Sequence, residues 1–324
     1  MASIVIEKPG FLSTVQDLGR FGFQRYGMPV AGAMDAFSLQ LANSLVGNPH
    51  GAAGIEATLL GPDIRFISGG MAAFCGSGMR GFLNNKHVDA YKSFSVSAGD
   101  LLRFEMDRCG CRMYIAFAGG LDVPVVMGSK STYLRSGTGG FHGRALKEGD
   151  EIPLGQAPEK CPIKEIPASL LPDYTKKDPI RIIPGPEIRR LSKEGLISLL
   201  TTPYRVGDQS DRMGYRLEGE KINLNNESHD IISSGVCTGT LQLPGNGQPI
   251  MLMADHQTTG GYMRMAVVAS VDLTRAAQLR AGDSICFAEI SINKAQTLFR
   301  ARNRELACLT NNKPDTSPGS RPPS

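Results

Sequence analysis

Asp255-His256-Gln257-Thr258-Thr259-Gly260-Gly261-Tyr262 packs a carboxylate, an imidazole, an amide, two hydroxyls and a phenol into one short stretch. An apolar run, Pro249 to Ala254, precedes it, and Ala266-Val267-Val268-Ala269 follows. The pattern predicts a polar turn between two buried strands. Gly260 and Gly261 leave that backbone free to aim its groups, and loops are where binding groups concentrate. A polar hairpin that binds nothing fits the same pattern.

Two arginines, Arg20 and Arg212, sit in matched glycine-flanked turns. A guanidinium fork can clamp a carboxylate or phosphate, or tie two loops together through backbone carbonyls. Gly128-Ser129-Lys130-Ser131-Thr132 offers converging N–H groups and hydroxyls as an anion cradle, with Lys130 and Arg144 as cations. A surface loop with no ligand is the competing reading.

Other motifs exclude chemistry. Gly76-Ser77-Gly78-Met79-Arg80-Gly81 fits G-x-G-x-x-G, but Phe82 to Val88 reads as a hairpin around Asn84-Asn85, and no helix follows to hold a pyrophosphate. No G-x-x-x-x-G-K-[ST] occurs, and no Met-Lys-Met for biotin attachment. The 7 cysteines include Cys109-Gly110-Cys111, too tight for a C-x-x-C site, and no histidine stands at zinc-ligand spacing from a cysteine pair. Buried thiols in a reducing cytoplasm are expected, and no metal site. His50, His87, His142 and His229 read as surface residues.

The elements that must position these groups are short. At 324 residues two domains are expected. The 38 glycines against 6% aromatics and no tryptophan favour a turn-rich β protein. Net charge +4, with its Lys and Arg scattered, argues against nucleic acid or a membrane surface. Strands are predicted near Ile64–Ile67, Phe94–Val96, Leu101–Phe104, Met113–Ala118 and Ile180–Ile183. Three helices interrupt them. One runs from about Ala36 to Val46, capped by Asp35 and stopped by Gly47; another spans about 187–200; a short third spans about 273–279, capped by Asp272. Ala98-Gly99-Asp100 recurs as Ala281-Gly282-Asp283, and with the Arg20 and Arg212 turns this suggests a duplicated unit. The expected units are residues 1–178 and 179–310, joined through the stretch 167–179, with a disordered tail over 311–324.

Taken in order, these segments carry a family resemblance. Thr14 to Arg20, Gly32 to Asp35, Glu56 to Pro62, Gly128 to Thr132, Pro184-Gly185-Pro186, Asp211 to Leu217 and Asp255 to Tyr262 resemble the biotin-dependent carboxyltransferase-like family. That family includes the C component of 5-oxoprolinase, the second component of proteins labelled allophanate hydrolase, a domain of urea carboxylase and an antagonist of a sporulation-kinase inhibitor. The resemblance spans about residues 1–290. It implies tandem cyclophilin-like β-barrels and a cytoplasmic chain active only in a complex. The expected partners are a B-type 5-oxoprolinase component and a ring-opening component. The implied reaction is ATP-dependent hydrolysis of 5-oxoproline to L-glutamate, with Mg²⁺ accompanying the nucleotide.

The resemblance assigns catalytic roles to Asp255, Gln257, Thr258 and Arg212. It assigns substrate contacts to Gln16, Asp17, Arg20, Asp211, Tyr215, Thr259 and Tyr262, and nucleotide or anion contacts to the loop Gly128, Ser129, Lys130, Ser131 and Thr132. Arg20, Arg212 and Gln257 are expected to face one shared cleft. Carboxyl transfer from biotin on other chains to urea or another small amide is the second reading. A regulatory binder of a kinase-inhibitor-like partner is the third.

Overall fold

A computed structural model describes residues 2–159, 162–225, 228 and 230–309. Cys161, His229 and the tail expected over 311–324 lie outside the described residues. The chain is mainly β with few helices, and its strands form three sheets.

Two sheets come from the first half. One has the order Glu151–Pro153, Ser3–Lys8, Asp63–Phe66, Leu101–Met106, Met79–Leu83, Lys86–Val88. The other runs Leu12–Gln16, Gly54–Thr58, Arg112–Phe117, Gly70–Gly76, Ser93–Val96. Their facing sides bury Ile4, Ile6, Phe66, Phe74, Leu102 and Ile115 in one core. The third sheet, from the second half, runs Ser284–Ile285, Tyr204–Val206, Gly214–Glu218, Ile250–Leu252, Thr240–Leu243, Thr259–Val268, Ile180–Pro184, Phe287–Glu289. Its first and last strands are separated in the chain only by Cys286, so the sheet curls almost into a closed barrel around Tyr204, Leu217, Leu241, Met251, Met265 and Phe287.

The helix Ala36–Leu45 forms as expected. The Asp35 carboxylate accepts the Ser38 N–H at 3.1 Å, and Gly47 follows at φ 75°. Its Leu39, Leu41 and Leu45 pack on Cys75, Tyr114 and Ala116 behind the second sheet. The G-x-G-x-x-G stretch is a strand-to-strand connection, and Asn84 and Asn85 turn the next hairpin at φ 50° and 66°.

Several boundaries differ from expectation. Helix Lys193–Thr201 begins at its Ser192 cap, and residues 188–190 form a separate 3₁₀ turn. Helix Leu273–Ala276 is shorter than expected, and Asp272 stands at its N-cap position without a side-chain cap bond. The Asp272 carboxylate instead accepts the Arg181 N–H and guanidinium. Thr259 to Tyr262 is not turn but the start of the long strand Thr259–Val268, paired with Asp230–Gly235. A helix over Ile292–Leu309 went unforeseen, because its sequence is mostly polar and only Ala295 and Leu306 are buried. It lies against Phe37, with the Arg302 guanidinium 4.6 Å from that ring's centroid.

The duplicated turns match bond for bond. Gly99 and Gly282 have φ 89° and 93°. Asp100 N–H donates to the Ser97 carbonyl and Asp283 N–H to that of Arg280, both at 3.1 Å. Each aspartate's carboxylate then accepts the N–H three residues back, at 2.7 and 2.8 Å. Among the described residues no helix is long and apolar enough to cross a membrane.

Candidate functional site

A buried ionic junction joins the halves. Arg212 precedes strand Gly214–Glu218, and its guanidinium donates to the Asp255 carboxylate through Nε at 3.1 Å and Nη2 at 2.9 Å. Nη2 also donates to the Gly32 carbonyl at 2.5 Å, and Nη1 donates to Glu56. Glu56 lies mid-strand in Gly54–Thr58, directly opposite Thr14 and Tyr114 on the neighbouring strands. Its Oε2 accepts the Met34 N–H and the Tyr114 hydroxyl, each at 2.8 Å. One guanidinium thus serves two carboxylates and a carbonyl.

The two carboxylates differ. Burial would raise the Glu56 carboxyl, but the Arg212 and Arg112 guanidiniums and its hydrogen bonds bring it below the usual range. Burial raises Asp255, and Arg212 only partly offsets this, with Glu56 and Asp211 adding repulsion. Of the two, Asp255 is the group that more readily takes up a proton. Burial lowers His256, which contacts its neighbour's Gln257 carbonyl through Nδ1 at 2.5 Å.

The loop expected to cradle an external anion already holds one. Asp17 accepts the Ser129 hydroxyl at 2.7 Å, the Lys130 N–H at 2.6 Å and the Ser131 hydroxyl at 2.5 Å. It also accepts the Gly19 N–H at 2.7 Å. Thr132 donates its hydroxyl to the Val15 carbonyl, and Lys130 Nζ donates to the Leu121 carbonyl. Gly128 opens the loop at φ 73°. These side-chain hydroxyls and the Lys130 N–H are engaged within the chain.

What the loop positions instead is Arg20. This side chain is fully buried, and its Nη2 donates to the Ser131 carbonyl. Its Nε and Nη1 have no partner. Burial lowers its pKa, while Asp17 and Asp255 pull it back up. Gln16 donates to the next carbonyl along, that of Thr132, at 3.1 Å, and its Oε1 also has no partner. The glycine-rich turn 137–143 packs on this region. A Cβ on Gly139 would collide with the Ser131 carbonyl oxygen and stand 2.7 Å from Arg20 Nη2.

Other expected site residues fall elsewhere. Gln257 is not at the junction; its Nε2 donates to Gln242 at 3.2 Å. The Thr258 carbonyl accepts the Val236 N–H. Thr259 and the part-exposed Tyr262 lie in the strand that pairs with Asp230–Gly235. Asp211 is exposed and caps its own turn by accepting the Met213 N–H at 2.8 Å. Tyr215 is buried and accepts from Arg112 at 2.8 Å, and burial pushes its phenol up despite that cation. Arg212 and Asp255 are therefore bonded to each other, Arg20 is bonded to the Ser131 carbonyl and feels Asp255 only through its charge, and Gln257 is bonded to Gln242.

Glu56, Arg112, Tyr114 and Gln278 had no expected role. Gln278 of the second half accepts the Cys111 and Arg112 N–H groups at 3.0 and 2.8 Å and donates to the Arg112 carbonyl at 2.9 Å. Arg112 donates to the Ala277 carbonyl. A carboxylate in an apolar strand, Gly54-Ile55-Glu56-Ala57, was the available signal for Glu56. No group of three or more His, Cys, Asp or Glu suited to a metal occurs among the described residues.

Comparisons with known proteins agree with this outline. The model of the carboxyltransferase domain, subdomain A and B, matches residues 26–289. The 5-oxoprolinase C component of Escherichia coli is 38% identical over 290 residues, 90% of this chain and 92% of that protein. Its Haemophilus influenzae counterpart is 35% identical over 288 residues, 89% of this chain and 91% of that one. The crystal structure of K. lactis urea amidolyase superposes with a TM-score of 0.91 at 31% identity, over 95% of this chain but 20% of that one.

Proposed function

This chain belongs to the carboxyltransferase-domain family, subdomain A and B, and from that premise we propose that it is the C component of a multi-subunit, ATP-dependent 5-oxoprolinase. Within the complex, which we place in the cytoplasm with a B-type and a ring-opening partner, it helps activate 5-oxoproline for opening to L-glutamate. We read the chain as two β units, residues 1–178 and 179–310.

The observation that supports this most is Arg20. A buried guanidinium with Nε and Nη1 unpartnered is an incomplete site, since an uncompensated buried charge is costly. A substrate carboxylate supplies a charge-assisted acceptor on one edge of the guanidinium, at Nη1 or at Nε, which point to opposite sides and are not bridged by one carboxylate. In 5-oxoproline that carboxylate sits one carbon from the lactam N–H, and the free Gln16 Oε1 is the acceptor beside it. Asp255, raised above the ordinary range by burial, is placed to hold or move a proton near the same cation. Because Arg20 is fully buried, this reading requires the turn 137–143 to move aside for the substrate.

A lactam carbonyl is a poor electrophile because of amide resonance. ATP, when bound to the complex, supplies the phosphoryl group that removes that resonance. We read the loop 129–131 as occupied with Asp17 and not as the phosphate cradle. We therefore assign nucleotide and Mg²⁺ to the partner side, and to this chain substrate binding and orientation.

The test is co-expression with both partners, measuring ATP-dependent glutamate release. Arg20→Lys is expected to raise the KM for 5-oxoproline about tenfold with less change in kcat, since a charge-assisted bond is lost. No glutamate from the wild-type complex sinks the reading; an unchanged KM removes Arg20 from it. The likeness to urea amidolyase supports a second reading, carboxyl transfer to urea, which requires a biotinylated carrier on another chain. Urea-dependent consumption of carboxybiotin in place of glutamate release selects it.

A further inference from the structure

A pocket of about 690 Å³ lies between the halves, and the ionic junction does not use it. Leu18 and Phe37 line it from the first half, Val267 and Leu273 from the second, and Phe299 and Arg302 from helix Ile292–Leu309. Its size is that of a site for a drug-sized molecule. A five-membered lactam carrying one carboxylate is far smaller, and it is too polar for such walls. The pocket is therefore built for something else.

Its charge pattern narrows the choice. Among the described residues no Asp, Glu or Lys lines it, and Arg302 is the only permanently charged one that does. That guanidinium is held in place. Nη1 donates to the Val271 carbonyl at 3.1 Å and Nη2 to the Ser270 carbonyl at 3.3 Å, while Phe37 lies beneath it. These acceptors are neutral, Nε has none, and no ion pair of Arg302 occurs among the described residues. Asp35 and Asp272 attract it only from further off. His50, also in the lining, has an unpartnered Nε2. A chamber whose walls are mostly apolar, with neutral polar groups such as Gln24, Gln40 and Asn303 among them and one fixed cation outside any ion pair, matches a ligand with an apolar body and one negative charge.

We propose that this pocket binds an amphipathic monoanion, an aromatic or aliphatic acid whose acidic group meets Arg302 and whose body lies against Leu18, Val267 and Phe299. Such a ligand touches both halves and the C-terminal helix, so its binding holds the three together. The proposal stands apart from turnover of 5-oxoproline and is tested without it.

The test uses the full chain and two probes of one shape, anionic 1-anilinonaphthalene-8-sulfonate and uncharged N-phenyl-1-naphthylamine. We expect saturable binding at one site, with the anion about tenfold tighter, the worth of one charge-assisted bond. Arg302→Met is expected to bring the two probes to parity while the uncharged one still binds. Ala254→Phe fills the pocket and abolishes both. Cysteine alkylation locates the site. Cys237 lines the pocket and is exposed, while exposed Cys308 does not line it. Bound sulfonate slows alkylation of Cys237 and not of Cys308, with buried Cys75 and Cys111 staying unreactive as a check on the fold. Equal affinities in the wild type, retention of the tenfold preference in Arg302→Met, or unprotected Cys237 overturns the proposal.

Discussion

The Arg212 guanidinium donates to the Glu56 carboxylate across 156 positions of sequence, and both groups are buried. Arg212→Met leaves Glu56 and Asp255 buried without their cation. Removing one partner of a buried pair costs about 3–5 kcal/mol, so urea unfolding should show a loss of that size. Arg80→Met, which breaks the exposed pair with Glu105 at 54% and 62% exposure, should cost under about 1 kcal/mol. Equal losses for the two variants would show that burial is not what matters at the junction.

Asp35 predicts a pH dependence. Burial raises its carboxyl, outweighing hydrogen bonds from Ser38, Gln278 and Tyr174. A carboxyl raised on folding binds more protons in the native state. Its contribution is therefore full below the unfolded value of about 3.9 and is lost as pH rises through the raised native value. Glu56, held low, works in the opposite sense, and its contribution disappears only as pH falls below the usual carboxylate range. Asp35→Asn keeps a good helix cap and removes the titration. Unfolding free energies measured from pH 4 upward should fall less steeply in Asp35→Asn than in wild type. Parallel curves would exclude Asp35 as the source.

Asp17 takes four donors, three of them from the loop 129–131. Asp17→Ala strands those donors and lets the Ser131 carbonyl move off Arg20. The expected stability loss is at least about 3 kcal/mol, since each bond to a charged group contributes about 1.5–3 kcal/mol. Turnover in the complex should fall with it. Phosphate, if the loop were an external anion site, would bind better in this variant; titration calorimetry with phosphate should show no such gain.

Leu306 anchors the C-terminal helix among Phe37, Leu41 and Leu170. Leu306→Ala should destabilise by roughly 2–5 kcal/mol, the usual cost of a buried Leu-to-Ala change. Hydrogen exchange should show helix Ile292–Leu309 opening first. Protection unchanged from wild type would mean the helix is held by its polar contacts, Arg302 above all.

What could be read from the residues alone divides by range. Asp35 with Ser38, Asn84-Asn85 and the Gly99 and Gly282 turns are local arrangements, and the structure contains all of them. Alternating apolar residues located the strands, because each buries one face or both. Glu56 was hidden, since a lone carboxylate in a strand acquires meaning only when Arg212 arrives from the other half. Ser129, Lys130 and Ser131 were read as open donors because nothing local marks Asp17 as their acceptor. Helix Ile292–Leu309 was hidden for another reason. Arg302 covers Phe37 with a charged side chain, so the helix presents little of the apolar stripe that announces a buried face.

The curled third sheet has a consequence for assembly. Ser284–Ile285 and Phe287–Glu289 are its two ends, and the chain passes from one to the other through Cys286 alone. A ring so nearly sealed leaves little open hydrogen-bonding rim on which a foreign strand could grow. Asp230–Gly235 lies off that ring: among the described residues it pairs only with Thr259–Val268, and it carries Ile232 at 94% exposure. A partner that joins this half by extending its backbone ladder finds its longest single-paired strand there, since the two end strands span only two and three residues.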